Sequence, residues 1–111
     1  LDISNIFKSV NKTGRLLILD NSSHQFCSIS SEIISQLILR KKNIFRSEPI
    51  ILALPDIPSP TSFFLTKKYY NSSTKILSVI EKLISKKINY NRNQLETTLH
   101  DVPDKNFMGP F

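Results

Sequence analysis

The chain has 111 residues, 40% of them hydrophobic and 22% charged, with a net charge of +6, two glycines and one cysteine. That length suits a single domain with one hydrophobic core, and the composition predicts a folded chain. No apolar run approaches the roughly 18 residues of a membrane span, residues 1–4 show no signal-peptide pattern, and the lone Cys27 cannot form an internal disulfide, so a cytoplasmic protein is the default expectation.

Asp2 is a plausible N-cap, and Ile3, Ile6, Phe7 and Val10 follow at i, i+3, i+4 and i+7, which predicts a helix over about 3–12 with one apolar stripe. Gly14 suits the left-handed residue that ends a helix, with Lys12 near the negative end of its dipole. Residues 15–19 then form a short apolar run of the kind buried on both faces, with Asp20 where the strand meets solvent. Asn21-Ser22-Ser23-His24 is turn-rich. Ile29, Ile33, Ile34, Leu37 and Ile38 mark the face of a second helix beginning near Ser28, with Glu32 in its first turn and Lys41 and Lys42 at its end.

Residues 49–54, Pro-Ile-Ile-Leu-Ala-Leu, read as a second buried strand stopped by Pro55. Strand, helix and strand in that order predict a parallel pair with a right-handed connection, which brings both carboxyl ends to one edge. Pro55-Asp56-Ile57-Pro58-Ser59-Pro60 is a stiff loop. Phe63, Phe64 and Leu65 are expected as a short strand or a loop anchor. Residues 73–87 form an amphipathic helix with a stripe of Ile76, Val79, Ile80, Leu83 and Ile84. From 89 onward the chain is polar until Phe107-Met108-Gly109-Pro110-Phe111, an apolar end that is expected to dock on the domain or a partner.

The positive charge favours an acidic partner, but Lys41-Lys42, Lys67-Lys68 and Lys86-Lys87 are scattered near element ends and no Arg-rich stripe with interleaved aromatics is present, so nucleic acid is not expected. His24 and Cys27 have ligand-like spacing, yet zinc needs two further ligands and only His100 offers another nitrogen or sulfur. A Cys27 nucleophile with His24 as base lacks an orienting third group. Inert roles are the expected ones. Asp20 and Asp56 both follow strand ends, where α/β sheets bind ligands, and are read either as a carboxylate pair or as strand-end caps. The amides and hydroxyls at the start of the second helix offer an anion site. Phe63, Phe64, Tyr69 and Tyr70 form either a docking patch or a satellite of the core.

The order of these motifs resembles the C-terminal transketolase-type domain of the beta subunit of thiamine-diphosphate-dependent 2-oxo acid dehydrogenases, pyruvate or branched-chain. The likeness is carried by Leu1-Asp2, Ser9-Val10-Asn11-Lys12-Thr13-Gly14-Arg15 running into the strand ended by Asp20, and Glu32-Ile33 in the next helix. Asp56-Ile57-Pro58-Ser59-Pro60 is similar to the family's Asp-x-Pro-x-Pro loop, and Tyr70 with Lys75-Ile76 to the lead into its final helix. The ending, Asp101-Val102-Pro103 through Gly109-Pro110-Phe111, also resembles the close of some bacterial members.

The resemblance implies an α/β fold, a three-layer α/β/α domain with a mainly parallel sheet, of which residues 1–88 are the later part and 89–111 a tail. In the family two strands, a helix and the cofactor domain precede the equivalent of Leu1, so the first strands are expected from another polypeptide or from self-association. The chain departs from the family at Cys27-Ser28-Ile29-Ser30-Ser31, where relatives are Gly-rich. It has no Gly-Asp-Gly-type motif, so thiamine diphosphate and Mg belong to the parent enzyme and this chain alone is expected to be inactive. The implied role is subunit assembly, with an alpha subunit and a second beta subunit as partners and the lipoyl acyltransferase core as a further one. Asp20, Ser28, Ser30, Glu32, Asp56, Pro58 and Pro60 are the candidate interface or anion-site residues. A corresponding piece of transketolase or deoxyxylulose-phosphate synthase, and a free-standing anion-binding module, are the alternatives.

Overall fold

The computed structural model describes residues 1–21 and 27–91. In chain order these form α1 (Ile3–Thr13), β1 (Leu17–Leu19), α2 (Ile29–Arg40), β2 (Ile50–Leu52), α3 (Phe63–Tyr69) and α4 (Ser73–Ile84). The chain divides into two compact units, Leu1–Ile57 and Pro58–Phe111, with the border inside the proline-rich loop.

In the first unit, Asp2 caps α1 by accepting the Asn5 amide at 3.0 Å, satisfying one of the donors that a helix start leaves open. Val10 is buried, and Ile3, Ile6 and Phe7 pack against the same core as Ile33, Leu37 and Ile44. Gly14 (φ 69°) ends the helix and donates its N–H to the Val10 carbonyl at 2.6 Å. Its own carbonyl accepts the amides of Arg46 at 2.8 Å and Ser47 at 3.4 Å. The helix stop is thereby tied to the segment that leads into β2.

β1 and β2 pair in parallel, Leu17 with Ile50, Ile18 with Ile51 and Leu19 with Leu52. Hydrogen bonds from Ile50 N to Leu16 O (3.0 Å) and from Asp20 N to Leu52 O (2.9 Å) extend the ladder at both ends. The strands are shorter than the apolar runs 15–19 and 49–54, and β1 is not buried on both faces, since Leu19 is 55% exposed. Among the described residues the sheet has two strands, so each has one neighbour to pack beside.

α2 crosses between them. Lys41 Nζ donates to Asn11 Oδ1 at 2.7 Å, and the Arg40 guanidinium lies 6.0 Å from the centre of the Phe7 ring, so polar contacts flank the apolar α1–α2 seam. The buried stripe of α2 is Ser30, Ile33 and Leu37. Ile29 and Ile38, expected on the inner face, are instead 71% and 44% exposed. The helix carries more apolar residues than one inner face accommodates, and periodicity alone does not say which fall outside.

In the second unit, residues 63–65 are neither strand nor loop anchor but the first turn of α3, in which Leu65 N and Thr66 N both donate to the Ser62 carbonyl. The residues that α3 buries are Thr66 and Tyr69, whereas Phe64 and Leu65 are exposed. α4 is capped by Ser72, whose side chain accepts the Lys75 amide at 3.2 Å. The expected stripe of Ile76, Val79, Ile80, Leu83 and Ile84 is half-buried throughout.

The helix stops at Ile84, short of the expected 87, because Ser85 turns left-handed (φ 55°). Lys86 N then bonds to Glu81 O and Ser85 N to Lys82 O, both at 3.2 Å. This is the two-bond helix closure that glycine normally serves. Ser85→Gly removes the Cβ penalty of that conformation and is expected to stabilise the chain by about 0.5–1 kcal/mol, read as a higher urea midpoint at unchanged slope.

Candidate functional site

The carboxyl edge of the parallel sheet brings four of the expected residues together. Asp20 follows β1 directly, and its carboxylate accepts a hydrogen bond from the Ser30 hydroxyl at 2.5 Å. Ser30 lies in the first turn of α2 and is only 2% exposed. One residue outside the helix, the Ser28 side chain accepts the Ser31 amide at 3.2 Å, and the Ser31 hydroxyl donates to the Ser28 carbonyl at 2.7 Å. Glu32, also in the first turn, accepts from Gln36 Nε2 at 2.8 Å.

The start of α2 therefore carries its own anions. Asp20 reaches it through Ser30, Glu32 sits in its first turn, and both charges suit the positive end of the helix dipole. Chemically the arrangement is a clasp that fixes the end of β1 to the start of the crossover helix. Ser30→Ala removes the clasp's buried hydroxyl and is expected to cost about 1.5–3 kcal/mol by chemical denaturation, the range for a hydrogen bond to a charged group.

Asp56 is exposed and lies four residues past the end of β2. Ile57 N donates to Pro55 O at 2.8 Å, so the chain makes a three-residue turn around Asp56. Pro58 and Pro60 belong to the second unit. Cys27, immediately before the Ser28 cap, is an exposed free thiol in the left-handed region (φ 54°). It adopts a conformation that favours glycine. His24, His100 and the tail from 92 onward lie outside the described residues. Among the described residues no three His, Cys, Asp or Glu side chains group as metal ligands, and no helix is long and apolar enough to cross a membrane.

The aromatic cluster is split by the fold of the second unit. Tyr69 is buried and meets Tyr70 edge-on at 5.1 Å between ring centres. Phe64 is 66% exposed, with the Lys68 ammonium 4.9 Å from its ring centre. Around the end of α4, Ser78, Lys82, Ser85, Lys86 and Lys87 border a shallow depression of about 330 Å³ together with Glu81. The Glu81 carboxylate accepts the Ile88 amide at 2.8 Å, which folds the following chain back on the helix end.

Residues 58–91 hold six lysines and the single acid Glu81, whereas residues 1–57 hold seven basic and five acidic residues.

No protein-family model, no curated protein and no solved structure matches this chain.

Proposed function

We propose that this chain is the later part of a transketolase-type C-terminal domain in the beta subunit of a thiamine-diphosphate-dependent 2-oxo acid dehydrogenase, serving assembly rather than chemistry. The observation that supports it most is the parallel pairing of β1 and β2 across the α2 crossover, with Gly14 closing the preceding helix and Asp56-Ile57-Pro58-Ser59-Pro60 following β2. A β–α–β unit is common to many α/β proteins, so the motif order along the chain is what narrows the reading.

An assembly role accords with the apolar surface of the first unit, where Leu19, Ile29 and Leu39 are all more than half exposed. Such residues, together with a two-strand sheet, call for further strands and subunits to cover them. In this reading the complete domain is a three-layer α/β/α sandwich on a mainly parallel sheet. An alpha subunit, a second beta subunit and the lipoyl acyltransferase core are its partners. The parent enzyme holds thiamine diphosphate and Mg, and oxidatively decarboxylates a 2-oxo acid with acyl transfer to lipoyl.

Affinity purification of the chain from its source cell under native conditions tests this. The recovered assembly is expected to reduce lipoyl groups with a 2-oxo acid only when thiamine diphosphate and Mg are supplied, while the isolated chain is inactive. Recovery with polypeptides that carry no thiamine-dependent activity contradicts the reading.

A further inference from the structure

We propose that the exposed face of α3, built on Phe64, Leu65 and Lys68, is a docking surface for an acidic polypeptide segment that carries an aliphatic side chain. The inference does not rest on the function proposed above. Phe64 and Leu65 are 66% and 50% exposed, whereas Thr66 and Tyr69 on the same helix are buried. The helix is thus held by Thr66 and Tyr69, with Phe64 turned away from that face and Leu65 half-exposed at its flank. Lys68 stands over the Phe64 ring at 4.9 Å, so cation and apolar surface form one patch, of the kind that marks interaction sites.

Charge selects the partner. With six lysines and one acid in residues 58–91, the field of this segment attracts carboxylates and speeds their encounter. Carboxylates meet Lys68 and its neighbour Lys67 in the last turn of α3, and an aliphatic group packs on Leu65 and the edge of Phe64. Nucleic acid fits less well. Every basic residue of the segment is lysine, which lacks the planar fork of arginine, and Lys68 covers a face of the ring on which a base would stack. A membrane surface also fits less well, since a seven-residue helix with two exposed apolar side chains falls far short of the continuous apolar face of an interfacial helix.

The test titrates the whole chain, at low salt, with a fluorescein-labelled peptide of repeating Glu-Glu-Leu, a Glu-Glu-Ser control, oligo-dT and phosphatidylserine vesicles. The leucine peptide is expected to bind about ten-fold tighter than the serine control, as burial of one aliphatic side chain implies, and both to weaken with added salt. Leu65→Ser, or Phe64→Ser, is expected to erase the difference between the peptides, and Lys68→Glu to weaken both. The substituted residues are exposed, so circular dichroism is expected to be unchanged, and Ser59→Ala serves as a neutral control variant. Equal binding of the two peptides, tighter binding of oligo-dT or of vesicles, or indifference to all three α3 variants overturns the proposal.

Discussion

Leu37→Ala is expected to cost about 2–5 kcal/mol, the range for emptying a fully buried leucine site. Leu37 is 0% exposed and belongs to the cluster with Val10, Ile33 and Ile44 that joins α1 to α2. Domains of this size have total stabilities of roughly 5–15 kcal/mol, so the variant is expected to lose a large fraction of its stability and to unfold at a clearly lower urea concentration. Leu39, two residues on in the same helix, is 78% exposed, and Leu39→Ala is expected to change stability by no more than about 0.5 kcal/mol. Urea denaturation of the two variants side by side checks the burial of α2 directly, because composition and helix propensity change identically in both. Equal midpoints would mean that α2 packs with a different face inward.

Gly14→Ala is expected to cost about 2–5 kcal/mol by two mechanisms that act together. At φ 69° any Cβ is strained, at about 1–2 kcal/mol for a left-handed residue. The added carbon would also lie 2.8 Å from Arg46 Cβ and 2.7 Å from Arg46 Cδ. Because Arg46 N is hydrogen-bonded to the Gly14 carbonyl at 2.8 Å, its Cβ has little room to retreat, and overpacking adds a cost of order 1–3 kcal/mol. Arg46→Ala in the Gly14→Ala background relieves contact with Cγ and Cδ but not with Cβ, so only partial rescue is expected in thermal unfolding. Complete rescue would assign the whole effect to the long side chain and none to the backbone.

Much of the first unit was legible in the residues. The Ile3, Ile6, Phe7 and Val10 stripe, the stop at Gly14, the Ser28 start of the crossover helix and the direction of strand pairing each follow from strong local rules that agree with one another. The exposure of Leu19, Ile29 and Ile38 was not legible, since an apolar pattern reports what can be buried rather than what this chain covers. The α3 helix was hidden by an aromatic pair just after a proline-rich loop, a composition that favours extended chain. Ser85 was hidden because the apolar spacing runs on to Ile84 and Ile88 and the left-handed residue is not a glycine.

The candidate site was legible as positions but not as a clasp. Asp20 and Ser30 are ten residues apart, and no local spacing rule announces the hydrogen bond between them. The α3 patch needed both the fold, which separates Phe64 from Tyr69, and the uneven division of charge along the chain.

The direction of the sheet is where the assembly reading is most exposed, and nuclear Overhauser contacts between the strands measure it. Contacts that pair Leu17 with Ile50 and Leu19 with Leu52, with the Asp20 amide slow to exchange, are the expected result. Contacts that pair Leu17 with Leu52 and Leu19 with Ile50 would make the strands antiparallel and contradict it.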